Sequence, residues 1–101
     1  GVLVAMAAAV ERHNSLLHEL NAAMAEEDEA QLRSLVTRLE ECSRELRYPA
    51  DGVSLEVHLA VAMNRSIAHM ALGQLFPAEA LLRGALLQLS LHCGQEAEGT
   101  G

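Results

Sequence analysis

The chain has no lysine, no tryptophan and only two aromatic residues, Tyr48 and Phe76. All seven basic residues are arginines, and together with 14 acidic residues they leave a net charge of −7 at neutral pH. An acidic surface repels phosphate backbones and anionic lipid headgroups. We therefore expect neither a nucleic-acid partner nor a membrane partner.

Sequence features of strands and of catalysis are also scarce. No stretch alternates apolar and polar residues with the period of two that strands require. Leucine and alanine, which favour helices, are abundant. No glycine-rich phosphate loop, CxxC pair or His-x-x-x-His pair occurs. The sequence predicts an all-α protein that is not an enzyme and has no catalytic residues, metal, cofactor or small-molecule substrate.

The chain has two cysteines, Cys42 and Cys93, and each stands at an apolar helical position. We expect both to behave as small hydrophobic residues in a reducing cytoplasm. A disulfide or a redox-sensing role is the alternative. The apolar opening, Gly1–Val10, is too short to span a bilayer. There are two interpretations of this segment. Either the given sequence starts within a helix, or the segment is the remnant of a signal peptide.

Two helices are predicted in the first half of the chain, over Val2–Ala25 and Glu29–Arg47. Between them, Asp28 is expected to cap the second helix, with Gln31 as its capping-box partner. A connection this short forces the helices to run antiparallel. The exposed face of the second helix carries ion pairs at the i,i+4 spacing, Glu29–Arg33 and Glu40–Arg44.

A second pair of helices is predicted after the turn-forming segment Tyr48–Gly52. Ser54 is the expected N-cap of helix three, Gly73 the left-handed residue after it, and Pro77 lies in the first turn of helix four. Helix four is expected to end near His92. The predicted domain spans residues 1–93, with hairpins over 2–47 and 54–92, and residues 94–101 form a disordered tail.

Apolar residues recur along the first helix with alternating spacings of three and four. They are Leu3, Met6, Val10, His13, Leu17, Leu20 and Met24, and the pattern resumes with Leu32, Leu35, Leu39, Cys42 and Leu46. Such a stripe predicts that the first two helices pack side by side. A histidine within it either sets register and pH sensitivity or is a half-buried imidazole with its tip in water.

Helix four is apolar around most of its circumference. Its apolar residues are Leu81, Leu82, Ala85, Leu86, Leu87, Leu89 and Leu91. A helix of this kind is either central in the fold or covered by something else. Because a chain this short cannot easily cover every face, we expect an exposed apolar patch or a subunit interface.

Small residues recur in the second hairpin where its helices must approach closely, at Ser66, Gly73, Ala78 and Ala85. With this spacing the stretch Ala62–Leu89 resembles a tetratricopeptide repeat, which implies two antiparallel packed helices. Arg65 departs from the pattern, because that position is usually leucine. The first hairpin matches the pattern poorly, since Glu27 would form the turn and Leu32 and Leu39 would take the small positions.

The stretch Ala8–Leu46 resembles the long helical hairpin of small bacterial export chaperones of the flagellar and type III secretion kind. Those proteins are short, acidic and helical, and they hold an amphipathic helix of a secreted substrate in an apolar groove. The resemblance implies that such a groove is lined here by residues of helices three and four. These are Met63, Ile67, Met70, Leu82, Leu86 and Leu89.

The sequence therefore predicts a protein–protein interaction module, most plausibly a small chaperone or adaptor that buries an amphipathic helix of another protein. The alternative is a structural domain whose heptad stripe on helices one and two assembles identical chains. A third hypothesis is that the sequence is one domain of a longer repeat protein. The all-α fold, either two tetratricopeptide-like hairpins or a four-helix bundle, is common to the three.

Overall fold

The computed structural model describes residues 2–45 and 52–100, and the side chains of residues 7–45 and 55–94. The described chain forms four helices: α1 (Val2–Glu26), α2 (Glu29–Glu45), α3 (Gly52–Ala71) and α4 (Leu75–Thr100). No strand occurs within these ranges, so the all-α prediction is confirmed. The predicted end of helix two at Arg47 and most of the Tyr48–Gly52 turn lie outside the described residues.

The helices follow one another as an open array. Within the described ranges α1 packs on α2, α3 packs on both α2 and α1, and α4 packs on α3 alone. The molecule is correspondingly flat, with principal extents of 50 × 33 × 18 Å. Since α4 does not return to α1, the helices do not close into a four-helix bundle, and the arrangement of two successive hairpins holds instead.

The first hairpin turns through a left-handed residue that is not glycine. Glu27 has a φ angle of 54°. The amide of Glu27 donates to the carbonyl oxygen of Met24, and the amide of Asp28 donates to that of Ala23. These two bonds form the Schellman motif, which satisfies the last carbonyl groups of α1.

Asp28 then caps α2, as the sequence predicts. Its Oδ1 atom accepts a hydrogen bond from the amide of Gln31 at 3.1 Å. The side chain of Gln31 does not complete the predicted capping box, because its Nε2 atom donates to Glu19 of α1 at 3.3 Å. The residue therefore links the two helices and does not turn back to its own N-cap.

The second hairpin repeats the first turn 46 positions later. Gly73 has a φ angle of 75°, which confirms the predicted left-handed residue. Its amide donates to Met70, and the amide of Gln74 donates to the carbonyl oxygen of His69. Because Glu27 and Gly73 occupy the same place in the same motif, residue n of the first hairpin corresponds to residue n + 46 of the second.

The core lies between α1, α2 and α3. Its buried members are Ala9, Leu16, Leu20, Ala23, Leu32, Leu35, Leu39, Cys42, Val61 and Ala68. The predicted stripe of α2 is confirmed, since Leu32, Leu35, Leu39 and Cys42 are all buried. Leu46 lies outside the described residues. Among the described side chains of α4, Ala78 is the one buried hydrophobic residue, at 2% exposed.

Two predicted helix boundaries differ from the structure. Helix α3 begins at Gly52, so Ser54 lies inside the helix and is not its N-cap. Helix α4 continues to Thr100 and does not end near His92. The sequence after Gly94 contains glutamine, glutamate and alanine, which favour helix, so a single glycine is an unreliable stop signal. Pro77 lies in the first turn of α4, as predicted.

Candidate protein-binding surface

The buried stripe of α1 is offset by one residue from the predicted stripe at every second position. The buried residues of α1 are Ala9, His13, Leu16, Leu20 and Ala23. Of the predicted residues, His13 and Leu20 are buried, Val10 and Leu17 are half-buried, and Met24 is 40% exposed. The side chains of Leu3 and Met6 lie outside the described part. Both stripes have heptad spacing, and the small Ala9 lets Cys42 of α2 approach within 3.3 Å of its carbonyl oxygen.

The two cysteines have different environments. Cys42 is buried and its thiol donates to the carbonyl oxygen of Ala9, and burial raises the pKa of this thiol. Cys93 is exposed on α4. Both thiols are free. The difference arises because α4 has a neighbour on one side only.

Helix α4 exposes most of its large apolar side chains. Its least exposed residues are Ala78, Leu81, Ala85, Gln88 and His92, which form one stripe with the spacing of a packed helix face. Outside that stripe stand Leu75, Phe76, Leu82, Leu86, Leu87, Leu89 and Leu91, which are between 37% and 85% exposed. The predicted exposed apolar patch is therefore present in the structure.

Most of the predicted groove residues lie on one edge of the α3–α4 hairpin. The opposite edge faces α2, because Ser43 of α2 lines a groove there with Arg65 and Gly84. On α4, Leu82, Leu86 and Leu89 flank the packed stripe on the side away from this groove. On α3, Met63 and Met70 are seven residues apart and share a face on that same side. We call these five residues the outer patch.

The members of the outer patch are exposed to different degrees. Leu86 is 64% exposed, Met63 54%, Met70 44%, Leu89 41% and Leu82 37%. The sixth predicted residue, Ile67, does not belong to the patch, because it is half-buried and packs against the core. A solvent-exposed patch that combines flexible methionines with leucines suits an adaptable protein contact.

The corresponding surface of the first hairpin is partly covered by α3. Subtracting 46 from the outer patch gives Leu17, Met24, Val36, Glu40 and Ser43. Val36 packs against the core, and Ser43 accepts a hydrogen bond from Arg65 of α3 at 3.5 Å. Met24 lines a groove with Ala71 and Leu72 at the end of α3. The outer patch thus corresponds to the surface of the first hairpin against which α3 packs.

A partly buried polar pair joins α3 to α1. The Nδ2 atom of Asn64 lies 3.2 Å from Nε2 of His13 and also donates to the carbonyl oxygen of Ala60 at 2.9 Å. His13 is 4% exposed, and burial lowers the pKa of its imidazole. Asn64 donates to the neutral ring, so the contact between the two helices favours an uncharged histidine. The polar residue of the stripe is buried and makes a contact within the chain, so the alternative with the imidazole tip in water is wrong.

Five arginine–glutamate pairs lie on the described surface. The predicted pairs Arg33–Glu29 and Arg44–Glu40 are present along α2. Arg12–Glu45 and Arg38–Glu19 cross between α1 and α2, and Arg83–Glu79 lies along α4. Two hydrogen bonds from Arg38 hold the pKa of the Glu19 carboxyl below its ordinary value. Within the described ranges Arg65 is the one arginine without a carboxylate partner.

The described residues contain no group of three or more histidine, cysteine, aspartate or glutamate side chains placed to hold a metal ion. None of the described helices is both long and apolar enough to cross a membrane. No protein-family model, curated protein or solved structure matches the chain. The surface itself therefore carries the functional argument.

Proposed function

We propose that this chain is a non-enzymatic protein–protein interaction module, a small chaperone or adaptor that buries an amphipathic helix of another protein against the outer patch. The observation that carries the proposal is the correspondence between the two hairpins. In the first hairpin α3 partly covers the surface that corresponds to the outer patch. An occupant with the geometry of α3 fits this surface, because both hairpins turn through the same motif.

The chemistry of the outer patch defines the face that such a helix presents. Four of the corresponding positions differ between the hairpins, and Glu40 and Ser43 give way to Leu86 and Leu89. The surface of the second hairpin is therefore more apolar than the one that accepts α3. We infer an occupant with apolar residues at spacings of three and four, buried in a groove. The resemblances to tetratricopeptide repeats and to export chaperones agree with this role, and they remain proposals. A location in the cytoplasm is also a proposal.

Self-assembly through the stripe of α1 and α2 has less support. His13 and Leu20 of that stripe are buried in the chain's own core and are not accessible to a second copy. A second copy seated on the outer patch is an outcome that the experiment below distinguishes.

Adjacent leucines of α4 provide a matched pair for the test. Leu86 and Leu87 are 64% and 61% exposed, but they point about 100° apart on the helix. Leu86 belongs to the outer patch, and Leu87 corresponds to Glu41, which is exposed on the first hairpin. A photo-crosslinking amino acid is introduced at each position, the chain is expressed in the cells that produce it, and the linked peptides are identified by mass spectrometry.

We expect crosslinks from position 86 to a segment of another protein whose apolar residues follow helical spacing, and few from position 87. Leu86→Glu in an otherwise natural chain is expected to weaken recovery of that protein at least tenfold, since burying one leucine is worth about 1.5–3 kcal/mol. Leu87→Glu serves as the control. Crosslinks to the same chain, together with a dimer in light scattering that Leu86→Glu dissociates, would contradict the proposal, as would equal crosslinking from both positions.

A further inference from the structure

The groove on the other edge of the α3–α4 hairpin contains an unusual arginine. Arg65 is half-buried, its Nε atom is buried without a hydrogen-bond partner, and its Nη1 atom donates only to Ser43 at 3.5 Å. The groove encloses about 230 Å³ between α2, α3 and α4. The chain has a net charge of −7, and Arg65 differs from the other described arginines in having no ion pair with a described carboxylate.

The correspondence between the two hairpins explains why Arg65 has no ion-pair partner on α4. Arg65 takes the place of Glu19, and Gly84 takes the place of Arg38. In the first hairpin these two positions form an ion pair across the groove, with 2.7 Å between Arg38 Nη2 and Glu19 Oε2. In the second hairpin the residue on α3 is basic where the corresponding residue of α1 is acidic. The position opposite it on α4 is Gly84, which has no side chain. A Cβ atom at Gly84 would have no atom within 4 Å, so the space opposite Arg65 is open.

We propose that this groove binds a carboxylate of a partner protein, an aspartate or glutamate side chain that pairs with Arg65 where Gly84 provides none. The guanidinium fork suits a carboxylate because it donates two parallel hydrogen bonds to the two oxygens. Ala62, Ala80 and Gly84 are among the lining residues, and their small size leaves room beside Arg65 for a side chain that enters from outside. The net charge of the chain repels acidic segments elsewhere, so the pairing selects a carboxylate seated in this groove. The site is separate from the outer patch and does not depend on it.

The test uses two synthetic helical peptides that are identical except for one central residue, glutamate in one and glutamine in the other. Binding to the full chain is followed by NMR through the side-chain Nε–H signal of Arg65. We expect the glutamate peptide to shift this signal and to bind roughly tenfold more tightly than the glutamine peptide. Arg65→Gln is expected to abolish the difference. This variant should fold, since Arg65 makes no ion pair in the structure.

Gly84→Glu provides a second variant, because it supplies the carboxylate from within the chain. We expect it to remove the preference for the glutamate peptide, whereas Gly84→Gln retains part of it. Leu86→Glu should leave the preference unchanged, which separates this site from the proposed helix-binding surface. Equal binding of the two peptides, a preference that persists in Arg65→Gln, or equally tight binding of acetate alone would overturn the assignment to a partner's side chain.

Discussion

The two hairpin turns allow the free energy of a left-handed backbone to be measured twice in one molecule. Glu27 and Gly73 have φ angles of 54° and 75° and the same pair of Schellman hydrogen bonds. A residue with a side chain costs roughly 1–2 kcal/mol in this conformation. Glycine avoids that cost but loses about 0.5–1 kcal/mol more conformational entropy on folding. The difference favours glycine by roughly 0.5–1 kcal/mol at each turn.

We therefore expect Glu27→Gly to stabilise the chain and Gly73→Ala to destabilise it by a similar amount. Neither prediction is complicated by packing. The Glu27 side chain is exposed, and a Cβ atom at Gly73 would meet nothing within 4 Å. In a domain of this size the corresponding change in melting temperature is about 4 °C, upward for the first variant and downward for the second.

The assay is urea denaturation followed by circular dichroism, with Glu27→Ala as the control. The alanine variant removes the carboxylate but keeps a side chain at the left-handed position, so its free energy of unfolding should stay close to that of the natural chain. The reasoning is refuted if Glu27→Gly lowers stability or Gly73→Ala raises it. A stabilisation by Glu27→Ala equal to that by Glu27→Gly would assign the effect to charge and not to backbone geometry.

Two further predictions concern buried groups. Burial lowers the pKa of His13 in the folded chain below its ordinary value of 6.5, so the unfolded chain binds the proton more readily and stability should fall as the pH drops below about 6.5. Urea titrations at several pH values should show this loss, and His13→Leu should remove it; an unchanged pH dependence in that variant would contradict the assignment. Cys93 is exposed and Cys42 is buried, so a thiol reagent should modify Cys93 in the native chain and Cys42 only on unfolding. Modification of both at equal rates would show that the region around Cys42 opens readily.

Much of the fold could be predicted because local signals are strong. Asp28 beside an apolar run and Gly73 after one are capping signals whose physics acts within a few residues. The regular spacing of Leu32, Leu35 and Leu39 determines the buried face of α2 without any knowledge of its neighbours. The exposure of α4 followed from the distribution of leucine around the helix.

The remainder depends on which neighbour each face meets. Two sets of α1 residues have heptad spacing, and the sequence alone does not show which set is buried. Leu16 is buried and Leu17 is half-buried because of the directions from which α2 and α3 pack against α1. The alignment of Glu27 with Gly73, which is a repeat of 46 positions, is a poor fit from the sequence alone because it places Leu32 and Leu39 where the second hairpin has Ala78 and Ala85. The two left-handed turns show that the hairpins correspond in spite of this difference in side-chain size. The role of Arg65 needs three helices in place before its unpaired charge becomes visible.

The packing of α4 against a single neighbour determines which part of the molecule opens locally. A terminal unit of a one-dimensional stack can open without disturbing the units before it. Release of α4 exposes only its interface with α3, while the core around Leu35 and Leu39 stays intact. Amide protons should therefore exchange with solvent soonest in α4 and latest in α2. A ligand that binds α4 would therefore slow amide exchange first in this helix, where exchange is fastest.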